Sequence, residues 1–349
     1  MVLPTIVTAI YHEYDTGAFI CSTILTFLSG LLGIFIGRYA PKKVGEREGY
    51  LIVALVWIIF SLFGLLPFYL SGAIPSYTDA FFETMSGFST TGATILRDIE
   101  SLSHGCLFWR SLMQWIGGMG IIVLSVAILP MFGLGGMQLY AAEVTGLSYE
   151  KLSPRIADTA KHLWGTYIII TALETLLLWL FKMDIFDAVC HSFSTIATGG
   201  FSTKNASIAF FSSPAIQYTI ALFTLLSGIN FALTIYLFRR RPDRLLKDEE
   251  THWYLGAVAL TTIALTIGLY LQNYTSVGAG FASSDAQVAG TATTVFVGIE
   301  DSFRKAFFEV VCTMTSCGFA IDDYMQWRPL MWCVLFILMF TGGCAGSTA

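Results

Sequence analysis

Three short segments repeat a pattern of glycine and hydroxylated residues suited to holding a dehydrated cation. The first runs Asp79-Ala80-Phe81-Phe82-Glu83 and continues to Ser89-Thr90-Thr91-Gly92-Ala93-Thr94. The second runs Asp187-Ala188-Val189-Cys190-His191 and continues to Ala197-Thr198-Gly199-Gly200-Phe201-Ser202. The third runs Lys305-Ala306-Phe307-Phe308-Glu309 and continues to Thr315-Ser316-Cys317-Gly318-Phe319. Aligned without gaps, Ala80, Ala188 and Ala306 coincide, and so do Gly92, Gly200 and Gly318. An ion filter replaces the water shell with rings of carbonyl oxygens. Turning successive carbonyls the same way needs unusual dihedrals, and glycine takes φ > 0 without steric cost. Threonine and serine add hydroxyl oxygens with little bulk. A short helix ending at such a loop offers a cation the partial negative charge of its C-terminus. Any one segment could be a Gly-rich turn between helices; three aligned copies argue against that reading.

Such loops need a scaffold, and the composition says which solvent it faces. The 349 residues are 55% hydrophobic and only 12% charged, half the charged share of an ordinary soluble domain. Too little polar surface remains to coat a body in water. Long apolar runs extend over Phe19–Ile36, Tyr50–Leu70, Ile121–Leu134, Leu163–Phe181, Ile216–Phe238, Tyr254–Leu271 and Leu330–Phe340. Most approach the ~20 residues that a helix needs to cross a bilayer. The expected fold is therefore all-α and polytopic.

Basic residues place the ends of these runs. Arg38, Lys42, Lys43 and Arg47 form one cluster, Lys151, Arg155 and Lys161 a second, and Arg239, Arg240, Arg241, Arg244 and Lys247 a third. Basic loops stay cytoplasmic, and successive clusters are two crossings apart. Residues Gln272 to Glu300 carry no Lys or Arg and belong outside. Each Gly segment then follows an apolar helix of about 10–13 residues, too short to span. Non-helical backbone at membrane depth survives only where protein buries it or water bathes it. The unit is thus helix, half-way helix with loop, helix. Successive units point the same way and are related by an axis along the membrane normal. The boundaries read as 1–48 for N-terminal helices and a cytoplasmic loop, 49–135 for repeat one, 136–162 for a linker, 163–240 for repeat two, 241–252 for a second linker, and 253–349 for repeat three.

Several long motifs carry a family resemblance. The run Gln114-Trp115-Ile116-Gly117-Gly118-Met119-Gly120-Ile121-Ile122-Val123-Leu124 resembles the signature of Trk-type potassium uptake proteins, in the Trk/Ktr/HKT superfamily. So do Ala127-Ile128-Leu129-Pro130 and Gly135-Gly136-Met137-Gln138-Leu139-Tyr140, the latter favouring the TrkH branch over the KtrB branch. His191 to Ala197 followed by Gly199 to Thr203 is similar to that family's second pore loop, and Gly342-Gly343-Cys344-Ala345-Gly346-Ser347-Thr348 to the Gly-rich break of its third unit.

The resemblance implies parallel helix–pore loop–helix repeats around a pseudo-fourfold pore, three of four present here, with the fourth expected in a longer protein. It implies that Gly92, Gly200 and Gly318 are filter glycines, and that Thr90, Thr91, Thr198, Gly199, Ser316 and Cys317 supply further filter carbonyls. Glycine at position 92 argues for potassium over sodium. Gly342, Gly343, Cys344, Ala345, Gly346, Ser347 and Thr348 are expected to gate the path, and so Gly-rich a stretch is a poor helix. The resemblance further implies K+ as transported ion, a homodimer, and a cytoplasmic TrkA-type ring of nucleotide-binding regulatory subunits in a multi-pass bacterial inner-membrane protein.

Other residues leave choices open. Glu83 and Glu309 could rim an outer vestibule or be satisfied by nearby backbone. Arg110, with Gln114 near the start of an apolar helix, is expected to be structural and could snorkel. Glu174 is expected to pack between units or subunits, and His191 to be a hydrogen-bonded scaffold. Gly117-x-x-Gly120 reads as close helix packing. The seven cysteines lack zinc-site spacing and read as small buried apolar side chains. Met1 to Ile10 lacks the charge and cleavage site of a signal peptide. The stretches 143–162 and 239–250 are solvated loops or a docking face for the ring. The net charge of −5 and the absence of a basic patch give no reason to expect nucleic acid. No catalytic triad, phosphate loop or zinc spacing appears. The alternatives are a polytopic membrane enzyme, which should show converging carboxylates or histidines, and a non-transporting scaffold.

Overall fold

The computed structural model describes residues 1–39, 46–120, 156–231, 248–282, 298–344 and 347–348. These form helices joined by loops and short 3-10 turns, with no strand among them. The apolar run 121–134, the motifs at 127–130 and 135–140, the basic residues at 42–43, 151–155 and 239–247, and gate positions Ala345 and Gly346 lie outside the described residues.

Helices α1 (Val2–Ile10) and α2 (Thr16–Gly37) form a hairpin, turned at His12 with φ 52°. The hairpin is tied to the start of α6 (His104–Gly118). Glu13 accepts from the His104 and Gly105 amides at 2.6 and 3.0 Å, and Asp15 accepts from the Ser103 hydroxyl. Two carboxylates here answer the unpaired N–H groups and positive end of the helix.

Three runs of long helix, short helix and helix follow. The first contains α3 (Glu46–Gly64), α4 (Leu66–Ser71), the short helix α5 (Tyr77–Phe88) and α6. The second contains α7 (Ile156–Leu180), short α8 (Ile185–Ile196) and α9 (Pro214–Ser227). The third contains α10 (Glu249–Ala282), short α11 (Ile299–Met314) and α12 (Pro329–Leu338). Pro67 interrupts the crossing shared by α3 and α4, as proline must inside a helix. Among the described residues, four segments are long and apolar enough to cross a membrane: Thr16–Gly37, Ala54–Ser71, Leu163–Leu180 and Glu249–Gln272.

The outer faces of these helices are apolar at helical spacing. Leu173, Leu176 and Leu180 on α7, and Leu260, Ile263 and Ile267 on α10, are all exposed. In water such stripes would drive aggregation; in lipid they are the proper surface. The short helices lie inside. Helix α8 packs on α7 and α9 of its own run and on α6 of the run before, and α11 packs likewise on α10, α12 and α9. Helices α8 and α11 are therefore each seated against the last helix of the preceding repeat.

Two expectations need correction. The third short helix has 16 residues rather than 10–13, because Glu300 and Asp301 in its first turn are bridged to Arg304 and extend it outward. Cys21 and Cys333 are exposed, whereas Cys106, Cys190, Cys312, Cys317 and Cys344 are buried; a thiol on a lipid-facing helix is as apolar there as in a core.

Candidate functional site

The three loops after α5, α8 and α11 share one backbone path. Thr90, Thr198 and Ser316 have φ of 55°, 50° and 55°, and Gly92, Gly200 and Gly318 have φ of 74°, 73° and 80°. Left-handed dihedrals are costly for threonine and serine, about 1–2 kcal/mol each. Their recurrence at the same position in three copies shows a demand of the site.

The loop N–H groups turn back onto the short helix. Thr91 N donates to Ser86 O at 3.0 Å, Gly199 N to Ser194 O at 2.8 Å, and Cys317 N to Cys312 O at 2.8 Å. With donors used this way, the polar groups left for a neighbour are chiefly carbonyls.

The loops pack against one another in sequence. A Cβ on Gly92 would lie 2.0 Å from the Gly199 carbonyl oxygen, and one on Gly200 would lie 1.8 Å from the Cys317 carbonyl oxygen. Glycine is thus required twice over, by dihedral and by contact. The Gly199 and Cys317 carbonyl oxygens thus lie close against the glycine of the adjoining loop. Gly199 O also accepts from Gln114 Nε2 at 2.6 Å. Loop two, flanked on both sides, buries Thr198 and Gly199, while Thr91 and Gly318 at the arc's ends are exposed.

A matched position on each short helix tethers the return of its loop. Glu83, His191 and Glu309 each stand nine residues before the loop glycine. Glu83 accepts from Ile95 N and the Thr94 hydroxyl, both at 3.0 Å. Glu309 accepts from Ile321 N at 2.9 Å and Asp322 N at 3.4 Å. His191 Nδ1 donates to Asp187 O at 2.7 Å, and Nε2 accepts from the Ser202 hydroxyl at 2.9 Å. Both glutamates are buried. They therefore satisfy backbone rather than rim a vestibule, and His191 is the expected scaffold.

Arg110 does not snorkel; it is 1% exposed. It donates to Glu83 at 2.8 Å, Ser202 O at 3.2 Å and Thr94 Oγ1 at 3.3 Å, and its guanidinium lies 4.1 Å from the Phe201 ring centre. Below it on α6, Gly117 and Gly118 let the helix touch loops one and two, since added Cβ atoms would lie 2.0 Å from Phe88 O and 2.7 Å from Ala197 Cα. Gly118, not Gly120, is the second close contact, because a Cβ at Gly120 meets nothing within 4 Å. Glu174 is fully buried on α7, and neither of its carboxylate oxygens has a hydrogen-bond partner among the described residues.

After α12 the helix does break. Gly342 takes φ 68°, and the chain returns beneath the second loop. Cys344 N donates to Gly228 O at 2.9 Å and Thr348 N to Ser227 O at 3.3 Å. The Thr348 hydroxyl is 2.9 Å from Ile196 O and 3.2 Å from Ser227 O. The Thr198 hydroxyl reaches Thr348 O at 2.8 Å. Thr348 is thus seated against the second loop, and Cys344 against the end of α9. Sequence reasoning did not find the role of Gln114. One available signal was the doubled glycine unique to loop two.

Membrane-length helices packed around three short helices with equivalent loops define an all-α polytopic membrane protein. The chain belongs to the TrkH family of cation transport proteins, whose sequence profile matches residues 22–349. It is 40% identical over 351 residues to the Trk system potassium uptake protein TrkH of Escherichia coli K12, covering 100% of this chain and 68% of that protein. It is 37% identical over 354 residues to the protein of the same name from Vibrio parahaemolyticus, with the same coverage. The crystal structure of the potassium transporter TrkH from Vibrio parahaemolyticus superposes with a TM-score of 0.81 at 34% identity, covering 100% of this chain and 68% of that one.

Proposed function

We propose that this protein carries potassium ions across the cell membrane, along a path lined by the three loops. The relatives' names supply the ion. The observation that carries the reading is the repeated pair of left-handed residues, Thr90 and Gly92, Thr198 and Gly200, Ser316 and Gly318. A cation on the loop axis would meet carbonyls and threonine hydroxyls in place of water. The C-termini of α5, α8 and α11 point their partial negative ends at the same place. In this account Thr90, Thr91, Gly92, Thr198, Gly199, Gly200, Ser316, Cys317 and Gly318 line the path. Potassium is the cargo and no resident cofactor is invoked.

The segment Gly342 to Thr348 would act as the gate, holding the path shut through Thr348 under loop two. The relatives are named as parts of a Trk system, so the chain would be the membrane component of a complex. Homodimerisation, and a TrkA-type nucleotide-binding ring docked on 143–162 and 239–250, are the finer form of that proposal. An enzymatic reading finds no support among the relatives, which are named as potassium uptake proteins.

The test is rubidium uptake into liposomes by the protein expressed from its complete reading frame, with sodium as competitor. Uptake that resists sodium in the parent and yields to it in Gly200→Ser supports the filter. Absence of uptake in the parent under every nucleotide and partner condition would overturn the transport reading.

A further inference from the structure

We propose that Gln114 is a positioning residue for ion selection, locking the second loop across Gly200 from a helix of the first repeat. The inference rests on the reading of these loops as a filter. Gln114 is fully buried. Its Nε2 donates to the Gly199 carbonyl at 2.6 Å, and its Oε1 accepts from the Phe201 amide at 3.0 Å. The two backbone groups lie on either side of Gly200. A glycine alone populates positive and negative φ about equally. One planar amide holding the carbonyl before it and the N–H after it removes that freedom and fixes the 73° conformation. Arg110, one turn away, holds Ser202 O, so α6 grips three successive backbone groups of loop two.

The sequence carries the imprint of this clamp. At the position before the loop glycine stand Thr91, Gly199 and Cys317. Only loop two has a second glycine, and the reason is geometric. A Cβ on Gly199 would fall 2.4 Å from Gln114 Cδ and 2.7 Å from both Nε2 and Oε1. That space belongs to the amide. The clamp also explains how a single carbonyl ring is held across separate repeats: Gly199 O, fixed by Gln114, is the atom against which Gly92 of loop one packs.

The experiment is a double-mutant cycle on Gln114 and Gly199, read as sodium competition against rubidium uptake in proteoliposomes. Gln114→Met removes both bonds at similar length. Gly199→Ala displaces the amide from the other side. Each is expected to shift the sodium-to-rubidium half-saturation ratio about tenfold toward sodium, equivalent to about 1.4 kcal/mol. In Gln114→Ala the space is open, so adding Gly199→Ala changes the ratio no further; coupled residues give such non-additivity. Trp115→Phe removes the bond to Thr171 Oγ1 at 3.0 Å on the same helix without touching loop two. It should lower thermal stability and leave the ratio alone. The proposal is overturned if Gln114→Met keeps the parent ratio, if Trp115→Phe shifts it equally, or if the cycle is additive. A parent without rubidium uptake would instead sink the transport reading.

Discussion

Replacing Gly200 by alanine separates backbone strain from displacement of the neighbouring loop. Gly72 supplies the control: its φ is 75°, close to the 73° of Gly200, but a Cβ there meets nothing within 4 Å. Both substitutions force an L-residue into the left-handed region, at about 1–2 kcal/mol. Gly200→Ala adds a methyl 1.8 Å from the Cys317 carbonyl oxygen. Ordinary contact requires that oxygen or loop two itself to retreat by on the order of 1 Å. A misplacement of about 1 Å can cost roughly 10²-fold where function depends on fixed geometry. Rubidium uptake with sodium competition reads the effect, and thermal denaturation in detergent reads the strain. Gly72→Ala should lower the melting temperature by a few degrees and leave ion preference unchanged. Gly200→Ala should lose about the same stability plus ten- to a hundredfold in preference for rubidium. Equal and unaltered preference in the two variants would refute the claim that loop contact, rather than local dihedral, sets the ring.

Two further outcomes follow from the same geometry. Arg110→Met leaves the fully buried Glu83 carboxylate without its ion pair, which should cost about 3–5 kcal/mol; adding Glu83→Gln should recover part of the lost melting temperature, and a single variant as stable as the parent would contradict the burial. Thr348→Val removes the hydroxyl from the Ile196 and Ser227 carbonyls, a loss of about 1 kcal/mol; basal rubidium uptake without regulatory partner should rise about fivefold, and unchanged uptake would remove Thr348 from the gate.

Much of this architecture was legible because glycine and alanine spacing survives in all three repeats. The alignment of Gly92, Gly200 and Gly318 anticipated a shared backbone, and the dihedrals match within a few degrees. The alternation of short apolar helices with long ones was likewise readable from the lengths of the apolar runs. Side-chain partners were not legible in the same way. Glu83 and Arg110 are 27 residues apart, and nothing in the sequence pairs them; only the packing of α5 on α6 brings them to 2.8 Å and buries both. Gln114 reads as an ordinary polar residue in an apolar helix until Gly199, 85 residues on, is placed beside it. A single loop considered alone says nothing about the next loop around the ring.

The most direct measurement is anomalous scattering from crystals of the protein, expressed from its complete reading frame and grown in rubidium or thallium. The account predicts an ion peak on the axis of the three loops, coordinated by carbonyl oxygens from residues 90–92, 198–200 and 316–318. Ordered loops without a peak, or a peak held elsewhere by side-chain carboxylates, would contradict it.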